Sequence, residues 1–160
     1  MARGDSCHYS VKYNVGEVVR AKASNVPVHF KNTVEAARQL KGLSVQKAEN
    51  YMKNVLARKV CVPFRRFKSG IGKCGQAKQF KTVVGRWPVK SIKALQMLLR
   101  NAVSNCDYFG KDPADFMIQH IQVNQAPVVT RRTYRAHGRI NPFVRHLSHL
   151  QIILSEKVKL

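Results

Sequence analysis

Between Thr130 and Pro142 the chain carries Arg131, Arg132, Arg135 and Arg139, with Tyr134 and His137 set among them and no acid. From Phe116 to Ser155 there is no Asp, Glu or Lys, so every permanent positive charge in that span is an arginine. Guanidinium is planar, always charged, forks onto phosphate and stacks on bases, whereas ammonium is a hydrated point charge. A loop facing only water needs no such selectivity. The chemistry these residues suit is burial in a polyanion.

A second cationic stretch spans 62–87. It interleaves Arg65, Arg66, Lys68, Lys73, Lys78, Lys81 and Arg86 with Phe64, Phe67, Phe80 and Trp87. The wider span Asn50–Cys106 holds thirteen Lys or Arg and no acid. Rings beside cations suit stacking on unpaired bases together with phosphate contact. The competing reading, that the rings anchor the loop to its helices, is favoured for Trp87. With 29 Lys and Arg against 8 Asp and Glu, the net charge is +21. Such an excess opposes compaction unless a polyanion relieves it, which points to nucleic acid ahead of an anionic membrane.

Catalytic chemistry has little support. Gly70, Gly72 and Gly75 fit G-x-G-x-x-G, but no buried strand leads in, no helix opens directly after, and no acid follows near twenty residues on. A phosphate-binding Walker loop fails because Phe67 occupies its first glycine position and Cys74 follows Lys73. These glycines read as a backbone-flexible RNA contact. Asp112 and Asp115 flank Pro113 and read as a turn or helix start rather than an acid–base pair. Among six histidines and four cysteines, His8 adjoins Cys7 and His146 lies three residues from His149, yet no paired-ligand pattern forms. Three residues along a strand place those two histidines on opposite faces. The expectation is no enzyme, no metal and no cofactor.

Cys7, Cys61, Cys74 and Cys106 form no C-x-x-C pair and read as reduced thiols of the cytosol. The first thirty residues lack an apolar signal core and carry Asp5 and Glu17, so no targeting peptide is expected. No apolar run approaches the ~20 residues of a membrane span.

The elements that position these residues follow from periodicity. At 160 residues the chain suits one domain, two at most, with a real core. Residues 1–25 read as an extended N-terminal arm, and Val26–Phe30 as a short edge strand that tolerates Pro27. Asn32 and Glu35 resemble a capping box opening a brief helix through Leu40, with Gly42 placed to end it. Ser44 can cap a second helix with Val45, Ala48, Met52, Val55 and Leu56 on one face. Pro88 opens a third, with Ile92, Leu95, Leu99, Ala102, Val103 and Cys106 inward and Lys90, Lys93, Arg100 and Asn101 on or near the other side. The 62–87 insert between them reads as irregular, a segment longer than a compact domain leaves unstructured without a function.

Beyond the turn at 110–113 the pattern becomes β. Ile121 and Val123 alternate with Gln122 and Asn124, and Leu150, Ile152 and Leu154 with their neighbours, while Phe116 and Ile118 sit on the other parity. A bulge near Gln119–His120 reconciles them. The two arms predict one long antiparallel hairpin over 116–157, closed by a tip at 131–141. Arms of about twenty residues reach ~65 Å, against a radius of gyration of about 15 Å for a compact domain of this length. The tip should therefore project from the body and stay mobile until bound. The expected fold class is α+β, three helices packed on a small antiparallel sheet with a projecting hairpin.

Six segments carry a family likeness: Val28-His-Phe-Lys-Asn-Thr33, Cys61-Val-Pro-Phe-Arg-Arg66, Gln76-Ala-Lys78, Gly85-Arg-Trp-Pro88, His120-Ile-Gln-Val-Asn124 and Arg131-Arg-Thr-Tyr-Arg-Ala-His-Gly-Arg-Ile-Asn-Pro142. Together they closely resemble the universal L-twenty-two family of large-subunit ribosomal proteins, called L-seventeen in eukaryotes. The likeness runs from about Ser24 to Lys157, making 26–160 one domain of that type. The resemblance implies a body on the subunit surface near the polypeptide exit. It also implies a hairpin that penetrates the large-subunit rRNA and lines the exit tunnel, with Arg132, Thr133, Tyr134, Arg135, Ala136, His137, Gly138 and Arg139 as the lining. The insert looks like the archaeal and eukaryotic form.

The resemblance also implies a structural, cytoplasmic ribosomal role with rRNA, neighbouring large-subunit proteins and the nascent polypeptide as partners, and no membrane. Residues before Arg20 match poorly. The chain ends at Leu160 without the Lys-rich tail common in eukaryotic relatives, which suggests a trimmed lineage. The candidate RNA-binding set is Lys31, Arg65, Arg66, Lys68, Lys73, Lys78, Lys81, Arg86, Arg131, Arg132, Tyr134, Arg135, His137, Arg139 and Arg145. The alternative is a free-standing binder of double-stranded RNA or DNA, competent on short duplexes.

Overall fold

The computed structural model of the chain describes residues 9–11 and 18–156. The Cys7–His8 neighbours, Asp5, Glu17 and the last residue of the expected hairpin, Lys157, lie outside them. Strand β1 (Val18–Val26) opens the fold, followed by helices α1 (Phe30–Leu40) and α2 (Val45–Leu56). Two-residue strands β2 (Val62–Pro63) and β3 (Gly85–Arg86) bracket the basic insert, and α3 (Val89–Tyr108) follows. The remainder is β4 (Phe116–Gln125), β5 (Val129–Tyr134), β6 (Ile140–Arg145) and β7 (Ser148–Glu156).

Three antiparallel strands in the order β1-β7-β4 form the main sheet. Its central strand, β7, is buried on both faces. Leu150, Ile152 and Leu154 join the helical core, while Gln151 and Ile153 face the other way. On that side Gln151 Oε1 accepts hydrogen bonds from the Ser10 amide and hydroxyl, both 3.1 Å. The α+β class, the helices and the antiparallel sheet agree with the periodicity. Val45, Ala48, Met52 and Val55 of α2 are buried, as are Ile92, Leu95, Leu98, Leu99, Ala102 and Cys106 of α3. Lys90, Lys93, Arg100 and Asn101 are exposed.

Three local expectations need correction. Val26–Phe30 is not a strand: pairing with β7 ends at Val26, and Pro27 lacks the amide that would continue the ladder. The chain instead turns through a Val28 N–H to Val26 carbonyl bond of 2.8 Å, and α1 begins at Phe30. Residues 18–25, read above as part of an extended arm, belong to β1 and contribute Val18, Val19 and Ala21 to the interior. The Asn32–Glu35 capping box is absent, because His29 is the N-cap and makes no side-chain cap bond.

The parity switch in β4 is real. Register slips between Ile118 and His120, so Phe116 and Ile118 are buried before the bulge while Ile121 and Val123 pack on the core after it. The extra residue leaves His120 Nδ1 buried with no hydrogen-bond partner. Burial, and then the positive charge of Lys41, hold the His120 imidazole below its ordinary value of 6.5. The unfolded chain therefore takes up that proton first. The stability His120 contributes is complete above about pH 6.5 and is lost as pH falls through the lower, folded value. Thermal melts between pH 7.5 and 5.5 should show the midpoint falling with acidity, with a flatter profile for His120→Gln. Equal slopes for the two proteins would show that His120 is not the group responsible.

Candidate nucleic-acid interface

The insert is more ordered than its composition suggests. Val62–Pro63 pairs with Gly85–Arg86, Lys73 bridges Val84, and Gly75–Phe80 winds into a 3-10 helix. Gly85 is required by close approach: a Cβ there would lie 2.7 Å from Cys61 Sγ and 3.1 Å from the Val62 carbonyl oxygen. Burial, and then neighbouring Cys74, push the Cys61 thiol up to about 11, so both its position and its protonation suit packing rather than reactivity.

What holds the insert to the body is Glu35. This carboxylate is fully buried and accepts the backbone amides of Arg66 and Phe67 at 2.8 Å and of Arg65 at 3.2 Å. Consecutive amides turned onto one anion make a donor concavity, and a charge taken out of water needs such partners. Sequence reasoning spent Glu35 on a helix cap. The only signal against that was its place beside the Ala36–Ala37 pair, in a helix stripe that is buried.

With the backbone fixed, the side chains of 65–67 sort by polarity. Phe67 packs edge-on against Phe30, with ring centres 6.3 Å apart. The cations of Arg66 and Lys31 lie over the Phe67 ring at 5.3 and 5.6 Å. Arg65 donates to the Phe80 carbonyl and Arg86 to the Gly70 carbonyl, each at 3.2 Å, so two guanidiniums also staple the insert. Phe64 belongs to the core at 2% exposure, which corrects its assignment as a base-stacking ring: its amide donates to the Val84 carbonyl at 3.2 Å and its ring joins the buried cluster. Phe80 stands edge-on to Tyr51, and Trp87 Nε1 donates to Gln76 Oε1 at 3.1 Å while its ring packs on the core, the anchoring role expected of it.

The second cluster lies along β5 and β6, which pair from Val129↔Arg145 to Tyr134↔Ile140. Arg135 and Arg139 close the turn through a 2.8 Å backbone bond, with His137 and Gly138 both in left-handed conformation at φ 58° and 67°. Gly138 takes that geometry without the penalty a Cβ brings. Arg131, Arg132, Tyr134, Arg135, His137, Arg139 and Arg145 are exposed, as are Ala136 and Gly138, and Thr133 is half-buried. None of the five arginines makes a side-chain hydrogen bond or ion pair with another described residue. Lys31, Arg65, Arg66, Lys68, Lys73, Lys78, Lys81 and Arg86 are likewise exposed. The structure thus gathers Lys31 with the insert and sets the hairpin cations on a separate ladder. Among the described residues no helix is long and apolar enough to cross a membrane, and no three potential metal ligands lie together.

Residues 21–155 match the family described as ribosomal protein L22p/L17e. The chain belongs to that family. It is 53% identical over 144 residues to the large ribosomal subunit protein uL22 of Phlebotomus papatasi, covering 90% of this chain and 77% of the relative. The protein of the same name from Ixodes scapularis is 53% identical over 150 residues (93% and 81%), and that of Drosophila melanogaster 50% over 147 residues (92% and 79%). The match runs from within β1 to within β7, so the insert and the arginine ladder both lie inside it.

The Glu35 bonds carry a direct test. Glu35→Ala should lose about 2–3 kcal/mol in denaturant unfolding, because three amides lose a charged acceptor. It should also accelerate hydrogen exchange at residues 65–67 more than in α3. Unchanged exchange there would mean that the carboxylate does not hold the insert.

Proposed function

We infer that this protein is a structural constituent of the large ribosomal subunit in the cytoplasm, and that its two exposed cationic clusters bind large-subunit rRNA. The observation that carries the reading is the β5–β6 ladder, whose arginines reach no partner within the described chain, in a chain matched to a ribosomal family from 21 to 155. The role is structural rather than catalytic. The sheet and helices set the position, Lys31 and the insert cations neutralise phosphate on the body, and Arg131, Arg132, Tyr134, Arg135, His137, Arg139 and Arg145 enter between RNA segments. Phosphate contacts of this kind position a protein without reading sequence, while the exposed Tyr134 and the guanidinium planes add stacking.

The finer assignment is that Arg132–Arg139 form the part of the hairpin that faces the polypeptide exit tunnel, with rRNA and neighbouring subunit proteins around it. What supports it is the tight turn at 135–139, which narrows the ladder to its tip, and its exposed side chains. In this reading β1 through β7 act as one binding unit, with 18–25 part of its sheet.

Sedimentation of the protein from cell lysate, with and without ribonuclease, tests the reading. Co-migration with large subunits and polysomes, lost on RNA digestion, is the expected result; a small free species indifferent to ribonuclease contradicts it. Replacing Arg131, Arg132, Arg135 and Arg139 together with Ala should remove the protein from the large-subunit fraction. Substitutions at such exposed sites typically move stability by no more than about 0.5 kcal/mol each, so the purified variant should still melt cooperatively.

A further inference from the structure

At the root of the hairpin, where β4 gives way to β5 and β6 to β7, the ladder is interrupted at 126–128 and 146–147. The interruption opens a crevice of about 450 Å³ against the start of α1. Phe30 and Val128 supply apolar walls, while His29, His146 and Gln125 supply ring nitrogens and a carboxamide, and Lys31 stands with them. Among the described residues no carboxylate lines it. A second cleft of similar volume shares His29 and His146 and reaches Arg145. None of His29, Phe30, Gln125, Val128 or His146 belongs to the cationic set described above.

The walls are built rather than incidental. The His29 carbonyl is held by Thr33 Oγ1 at 2.8 Å, and that hydroxyl meets Ser91 Oγ of α3 at 2.9 Å in the interior. Ser148 Oγ at the start of β7 donates to the Val28 carbonyl at 3.2 Å, also buried. Across the gap the Ala126 amide donates to the Leu147 carbonyl at 3.1 Å, closing the hairpin root. Phe30 is braced from behind by Phe67, which the Glu35 bonds keep in place. Preformed concave sites of a few hundred Å³, apolar with a few convergent polar groups, are what small planar ligands occupy.

We propose that this crevice receives one unpaired RNA base, extruded from its helix where the hairpin enters the RNA. The proposal rests on the RNA-binding reading above and adds a site to it. A flat, neutral, heteroaromatic group fits a wall made by a phenyl ring, and its donor and acceptor edge fits Gln125 and the two imidazoles. The phosphates flanking such a base meet Lys31 at the crevice and Arg145 in the adjoining cleft. They also meet the first turn of α1, which no side chain caps. An acidic peptide could exploit those cations, but it would leave the polar edge of Gln125 and His146 without a matched partner. A base inside a duplex cannot enter, so the site selects an unstacked nucleotide.

The test uses the full chain with two synthetic RNAs, a twenty-base-pair duplex and the same duplex carrying one bulged adenosine. Wild-type protein should bind the bulged RNA about tenfold tighter, within the range a single base–aromatic stack provides. Gln125→Ala and His146→Ala, both at exposed positions, and Phe30→Ala should keep the plain-duplex affinity and lose that preference. Because Phe30 is partly buried and its removal can disturb folding, the two exposed variants decide if it does. Equal affinity of the wild type for both RNAs overturns the base pocket and leaves the RNA reading standing, as does a preference that survives the substitutions. Failure of the wild type to bind either RNA overturns the base pocket, while the large-subunit reading stands or falls on the sedimentation result above. In isolated large subunits, ultraviolet cross-linking should place nucleotide adducts on peptides containing 29–31 or 146. Peptide adducts there instead would assign the crevice to a neighbouring protein and contradict the proposal.

Discussion

One carboxylate organises the basic half of this protein. Glu35 sits at zero exposure on α1 and gathers the amides of Arg65, Arg66 and Phe67. An acid-free segment crowded with cations has every electrostatic reason to leave the body. Binding its backbone rather than its side chains solves two problems at once: the segment is tethered, and Arg65 and Arg66 keep their guanidiniums outward. The consequences propagate along short contacts. Phe67 is set against Phe30, Phe30 walls the crevice at the hairpin root, and Lys31 shares the Phe67 ring with Arg66.

Apolar burial and charge are otherwise kept apart. The core is built from β1, β4 and β7 against α1, α2 and α3, with Asn105 Nδ2 donating to the Arg20 carbonyl at 2.8 Å to tie helix to sheet. The β5–β6 ladder contributes nothing buried. Backbone pairing alone maintains it, which explains the choice of residues there. Arginine is a cation that stays charged when desolvated, and its fork reaches phosphate in any of several orientations. On the proposed reading, the surrounding RNA completes a ladder that has no core of its own.

Much of this was legible from spacing alone. α2 and α3 announce themselves through apolar residues at helical period from Val45 to Val55 and from Ile92 to Cys106, and the parity switch between Ile118 and Ile121 correctly implied a bulge. The arginine cluster, too, needs only counting. Other features were hidden for physical reasons. β1 lacks a clean alternation because as an edge strand it is buried unevenly, with Val18, Val19 and Ala21 inside and Arg20 partly exposed. Glu35 looked like a cap because local spacing cannot reveal a partner thirty residues away. Phe64 and Phe67 have similar cationic neighbours in sequence, yet Phe64 joins the core while Phe67, its amide bound by Glu35 and its ring against Phe30, stays half-exposed. The crevice assembles His29, Gln125 and His146 from distant segments, and no one-dimensional pattern joins them.

The central claim is that the ladder's arginines act by neutralising RNA phosphate. The direct measurement is the affinity of the full chain for large-subunit rRNA across a salt series, for the wild type and for the chain lacking the four tip-region arginines. Each phosphate neutralised steepens the log–log slope by about 0.7–0.9. The account predicts a steep negative slope that becomes shallower by roughly 3 when those four arginines are removed. A slope near zero, or one unchanged by their removal, would contradict it.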